Sequence, residues 1–427
     1  DSSTSRGLGD VYKRQAKAGG MTRPANLNSS VWGPYLRAGR DDVLPLHVAE
    51  LQMPTAPAVI DAVTSFARSG QYGYTEPFDE FGDIVTEWCA RRYDWQIDPT
   101  RVVMVPRVVE LLAILARDFF DKPPRVITFT PAYFPTLDVL ECNGCEIIRL
   151  PLAESDGRWR IDHEVLRKAL RAGVDMLMLC SPHNPTGEVW SRDDLRKVAI
   201  ACAETDTLVV ADEVHADLAH SRRFVPFGAV APPGTRWFSC LAPGKAFNLA
   251  GLETSAIVCA DRALADQLHA SLRAHGFHNA NAFGLLALQT AWSQGDDWLD
   301  TLNEHIRQNI DHAVSVIEKH LPGLRPIPPT GTFLLWIDAS AVGGRTELYD
   351  WFVKRAHVIP GFGADFGPGY DGWIRLNIGL HPDELHSALQ RLVQTAPTSA
   401  AYEPRASDSL SRSRGRNAAS AFTTEEV

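Results

Sequence analysis

Residues 175–182 read DMLMLCSP. From Met176 to Cys180 every side chain is apolar or a thiol, and Ser181-Pro182 then breaks the run. A run this short, without alternation, reads as a strand buried on both faces. The pattern recurs in RVVMVP (101–106), RVITFT (125–130), TLVVADE (207–213), WFSCLAP (237–243) and TSAIVCA (254–260). Between the first two lies VELLAILARDFF (109–120), an amphipathic helix. Buried strands alternating with helices predict an α/β fold whose mostly parallel sheet is sandwiched by helices.

Further on, WLDTLNEHIRQNIDHAVSVIEKHL (298–321) reads as one long helix. TFLLWIDAS (332–340) and GWIRLNIG (372–379) read as strands, and PDELHSALQRLVQ (382–394) as a closing helix. These predict a smaller α+β part. The expected division is residues 61–290 for the large domain and 291–396 for the small one, with 21–60 joining the small domain. Residues 1–20 are expected to be a non-native or disordered leader without the apolar core of a signal peptide. Residues 397–427, rich in Ser, Ala and Arg without periodicity, are expected to be disordered.

The chain has 427 residues, with 52 acidic against 42 basic side chains and a net charge of -10. That balance argues against a nucleic-acid ligand, which favours a basic face. No apolar run reaches the roughly 18 residues of a membrane span. The seven cysteines are scattered, and Cys142 and Cys145 have no second pair with which to hold zinc. Reduced thiols in the cytoplasm are the expectation.

In an open α/β sheet, ligands sit beyond the carboxyl ends of the strands. That directs attention to Pro106–Val109, Pro131–Tyr133, Ser181–Thr186, Asp212–His215 and Ala242–Lys245. Taken singly, the residues there have ordinary explanations. Asn184 caps its own turn before Pro185. Asp212 is a loop acid or helix cap. Lys245, in the apolar stretch APGKAFNLAG (242–251), buries its stem and snorkels its head into water. Together they carry a different meaning. An amine depleted of hydration loses its proton and can condense with an aldehyde. A buried carboxylate needs a cation. A lysine, an acid and an amide at one sheet edge suit pyridoxal 5'-phosphate, which asks for an amine for its aldehyde, an acid for its ring nitrogen and a donor for its phenolate oxygen.

SPHNPTGEVW (181–190), ADEVHADL (211–218) and KAFNLAGL (245–252), in this order, resemble the fold-type I pyridoxal-phosphate enzymes of the class I/II aminotransferase superfamily. Within it the chain is most similar to the MalY/PatB branch of cystathionine β-lyase-like C–S lyases. YGYT (72–75), TPAYFP (130–135), TGTFLLWID (330–338) and IRLNIG (374–379) agree with it, so the resemblance spans about residues 27–395. It implies an aminotransferase-like fold and a role for each matching residue. Lys245 is the Schiff-base lysine and proton shuttle, Asp212 the partner of the pyridinium, and Asn184 the donor to the phenolate oxygen, with His215 nearby. Tyr133 stacks on the cofactor ring, and the helix start at Val108 and Val109 cradles the phosphate. Arg375 grips the substrate carboxylate. Tyr74 reaches the phosphate of a neighbouring subunit, which implies a homodimer with active sites at the subunit interface.

Three positions depart from the family pattern. Arg107 stands where a glycine is usual, either adding charge to the phosphate or pointing to solvent. Gly244 stands where a serine is frequent. Ala49–Leu51 replaces an Ala-Asp-Met segment near the substrate. The implied reaction is removal of an α-proton from an amino-acid substrate followed by β-elimination of a thiol. Amino transfer to a 2-oxo acid uses the same residues, so it stands as the alternative. A non-catalytic pyridoxal-phosphate-sensing regulator is disfavoured, because the leader lacks the periodicity of a DNA-binding domain.

Overall fold

A computed structural model describes residues 28–76 and 80–397. The expectations for residues 1–20 and for the tail beyond 397 lie outside the described residues. In chain order the strands are β1 (Leu44–Leu46), β2 (Val102–Val105), β3 (Arg125–Thr130), β4 (Glu146–Pro151), β5 (Ala153–Ser155), β6 (Arg158–Arg160) and β7 (Met176–Cys180). Then come β8 (Leu208–Asp212), β9 (Trp237–Leu241), β10 (Ser255–Cys259), β11 (Arg325–Ile327), β12 (Leu334–Asp338), β13 (Val358–Phe362) and β14 (Trp373–Asn377).

Seven strands form the large sheet in the order β2-β10-β9-β8-β7-β3-β4. Strands β4, β3, β7, β8 and β9 are parallel neighbours. β10 runs antiparallel to both β2 and β9. The reason lies in the connection. A parallel return needs a crossover, usually a helix. The segment between β9 and β10 holds only the short 3-10 turn Ala250–Leu252. Side chains of β2, β8, β9 and β10 are buried throughout, as the unbroken apolar runs require.

Five strands form the second sheet, ordered β1-β13-β14-β12-β11. β1 pairs in parallel with β13, Leu44 opposite Val358. The long helix Asp296–His320 lays Leu299, Leu302, Ile306, Ile310, Ala313 and Ile317 into the core at helical spacing. The helix Pro382–Gln394 packs alongside it.

One close approach joins the two sheets beside the crevice. The backbone N–H groups of Thr330 and Gly331 both donate to Gly187 O, at 2.9 Å. Gly187 has φ +68°, and a Cβ there would collide with Pro329. Glycine alone meets both demands.

Candidate active site

β2, β3, β7, β8 and β9 all end on one edge of the large sheet. Lys245 follows β9 in a tight turn, with Phe247 N–H bonded to Pro243 O at 2.8 Å. Its Nζ donates to Ala49 O at 2.7 Å. Burial pulls its pKa down to about 8, aided by the charge of Arg375 and opposed by Asp212, Glu50 and Cys180. An uncharged amine is therefore accessible near neutral pH.

Asp212 ends β8 and is buried. Its Oδ1 accepts only a long bond from Val214 N–H, at 3.5 Å. Burial pushes its carboxyl up to about 6, although the Val214 bond and Lys245 oppose this. No cation lies within ion-pair distance among the described residues. A cationic ring nitrogen would restore the carboxylate to its charged form.

Asn184 is buried, and its Oδ1 accepts from Arg375 Nη1 at 2.8 Å. That bond fixes the amide orientation and leaves Nδ2 as the donor. Arg375 lies on β14, 4% exposed. Its Nη2 donates to His47 O, and its guanidinium sits 4.8 Å from the centroid of Phe366. Its Nε–H is buried without an acceptor among the described residues. A buried unpaired donor on a cation costs stability unless a ligand accepts from it.

His215 is buried with an unpartnered Nδ1, edge-on to Phe333. Burial, with Lys245 and Arg375 adding to it, holds its pKa well below the usual value, so the imidazole is neutral. Tyr133 precedes the helix Phe134–Cys142 and remains 36% exposed at the mouth. Burial raises its hydroxyl pKa, with Arg375 opposing and Asp212 adding, which places it in electrostatic reach of both.

The helix Val108–Asp118 begins at the same edge, and no side chain caps it. Glu110 and Leu111 N–H turn back to Arg107 O, while those of Val108 and Val109 have no acceptor among the described residues. Free N–H groups at a helix start suit an anion. Arg107 pairs with Glu110 at 3.2 Å and Glu253 at 3.4 Å, its side chain half-exposed. A serine Cβ at Gly244 would meet only Ala250, at 3.4 Å, so packing does not demand the glycine. Tyr74 is 96% exposed and does not join the site of its own chain.

The sequence model of class I and II aminotransferases matches residues 41–392. The chain belongs to this family. Cystathionine beta-lyase PatB of Bacillus subtilis is 35% identical over 358 residues, spanning 83% of this chain and 92% of PatB. Protein MalY of Escherichia coli is 26% identical over 362 residues, spanning 84% of this chain and 92% of MalY. The crystal structure of cystalysin from Treponema denticola, which contains a pyridoxal 5'-phosphate cofactor, superposes with a TM-score of 0.83. Its identity is 26%, and the match covers 88% of this chain and 97% of cystalysin.

In this family member the segment 47–50 contributes more than its sequence announced. Its carbonyls take the polar side chains of the site one after another. His47 O accepts from Arg375, and Val48 O from Asn377 Nδ2 at 2.9 Å. Ala49 O accepts from Lys245, and Glu50 O from Asn377 Nδ2 at 2.6 Å. Asn377 escaped the sequence reading, although it lies two residues beyond Arg375 and so on the same face of β14.

Proposed function

We infer that the chain is a pyridoxal-phosphate-dependent C–S β-lyase. It would cleave cystathionine or a related cysteine S-conjugate to a thiol, pyruvate and ammonia. The observation that carries this is the complementarity of one crevice. Lys245 offers an amine, Asp212 a carboxylate lacking a cation, Asn184 an amide N–H, and the helix start at Val108 and Val109 free N–H groups. These match the aldehyde, ring nitrogen, phenolate and phosphate of pyridoxal phosphate. The likeness to cystathionine beta-lyase PatB supports the choice of reaction.

Bound there, the cofactor supplies an electron-withdrawing ring that stabilises negative charge at the substrate Cα. The chain's residues do the rest. Arg375 receives the α-carboxylate on its free Nε–H and holds the substrate in register. Asn184, locked by Arg375, couples the carboxylate grip to the cofactor's position. Lys245 Nζ, kept weakly basic and anchored by Ala49 O, takes the proton from Cα. Loss of that proton lets the Cβ–S bond break and the sulfur depart with the electron pair. One water completes the balance, so cystathionine yields homocysteine, pyruvate and ammonia.

The fully exposed Tyr74 supports a homodimer in which each copy lends this residue to its partner's phosphate site. The seven free cysteines support a cytoplasmic setting. Among the described residues, no helix is long and apolar enough to cross a membrane.

The test is the product balance from L-cystathionine without any 2-oxo acid. Homocysteine and pyruvate released in equal amounts, over many turnovers, support the lyase. A single equivalent of 2-oxo acid per site, renewed only by adding another 2-oxo acid, transfers the assignment to an aminotransferase.

A further inference from the structure

We propose that Glu50 selects the departing arm of the substrate, favouring cysteine conjugates whose sulfur substituent carries a cation. The inference rests on the amino-acid site assigned above and adds the chemistry of the leaving group. Segment 47–50 lines that site with its backbone carbonyls. His47 O touches Arg375, where the α-carboxylate binds, and Ala49 O touches Lys245, which faces Cα. Glu50 follows directly, where the chain turns with Glu50 N–H on Val48 O at 3.0 Å, and its carboxylate lies in electrostatic reach of Lys245, on the proposal beside Cβ and its sulfur substituent.

Its backbone is pinned there by Asn377 Nδ2, at 2.6 Å. Its side chain is half-buried and feels the charge of Lys245. Among the described residues it makes no ion pair within 4 Å and no side-chain hydrogen bond. The other charged groups of the site have assigned duties. Arg375 takes the carboxylate, Asp212 takes the ring nitrogen, and Lys245 works as an uncharged base. Glu50 is thus a carboxylate beside the substrate arm with no cation of its own. A half-buried charge left this way attracts a cation on the ligand and repels an anion.

The test separates this claim from the lyase assignment by reading binding as well as turnover. L-lysine, L-norleucine and L-2-aminoadipate share the α-amino acid group and lack a sulfur leaving group. Their dissociation constants are read from the cofactor absorbance of the pyridoxal-phosphate-loaded protein at pH 8. Turnover is compared between S-(2-aminoethyl)-L-cysteine and S-propyl-L-cysteine by pyruvate release. The cationic member of each series should be favoured by about fivefold or more over the neutral one, with aminoadipate weakest.

Glu50→Gln should bring both ratios to within about twofold of one. Glu50→Asp, which keeps the charge, should retain the preference. Equal binding of lysine and norleucine to the wild-type protein would overturn the proposal, as would a ratio that Glu50→Gln leaves intact. A lysine preference that depends on Glu50, with no pyruvate from either conjugate, would uphold Glu50 and overturn the lyase.

Discussion

Arg375→Lys keeps the positive charge and discards the planar fork. In the structure the guanidinium serves three directions at once. Nη1 holds Asn184 Oδ1 at 2.8 Å, Nη2 holds His47 O, and Nε–H, without an acceptor among the described residues, is assigned by the proposed function to the substrate. A lysine ammonium is a compact donor on a flexible stem and cannot span all three. The variant loses the bond to the carboxylate, or keeps it and releases Asn184. Each hydrogen bond to a charged group contributes about 1.5–3 kcal/mol. Loss of one, with the second weakened, predicts a fall in kcat/KM of about 30- to 1000-fold. Most of it should appear in KM, because the carboxylate is gripped alike before and during proton removal. The assay is steady-state pyruvate release from L-cystathionine, with cofactor affinity measured in parallel. A tenfold or smaller loss of cofactor affinity would follow from the freed Asn184. A variant whose KM stays within about twofold of wild type would refute the carboxylate role.

Two further outcomes follow from the geometry. Tyr74→Phe should weaken cofactor binding about tenfold through loss of one phosphate hydrogen bond. Unchanged cofactor affinity in the dimer would contradict its role. Glu213 is fully buried, accepts Phe227 N–H at 2.7 Å and the Ser239 hydroxyl, and burial pushes its pKa up to about 8. The folded chain therefore holds a proton that the unfolded chain releases, from the ordinary carboxyl pKa up to about 8. Its stabilising share is complete at low pH and is lost as pH rises through about 8, by at most about 1.4 kcal/mol per pH unit. Glu213→Gln mimics the protonated form. The stability gap between variant and wild type in urea melts should widen in the variant's favour from pH 5 to pH 8, and a gap independent of pH would contradict it.

How much of this was legible in the sequence depends on whether burial or long-range pairing decides the element. The strands β7, β8 and β9 are legible because both their faces are covered, which forces unbroken apolar runs. Their ends were legible with them, so Asn184, Asp212 and Lys245 fall at one edge as expected. β1 and β13 are not, because each carries a proline, Pro45 and Pro360, which argues locally against a strand. Their pairing with each other is tertiary. The direction of β10 follows from the lack of a crossover helix rather than from its own residues. The contact of Lys245 with Ala49 spans 196 positions and has no local signature. The carbonyl lining formed by residues 47–50, and with it Glu50, emerges only once β14 brings up Arg375 and Asn377.

Lys245 Nζ donates to Ala49 O and makes no ion pair among the described residues, which on the proposed function leaves it for an aldehyde. Reduction of the pyridoxal-phosphate-loaded protein with borohydride, followed by peptide mass mapping, tests it most directly. One pyridoxyl phosphate group per chain is expected, on the peptide that contains Lys245, and none in Lys245→Ala. Label spread over surface lysines, or label that persists in Lys245→Ala, would contradict it.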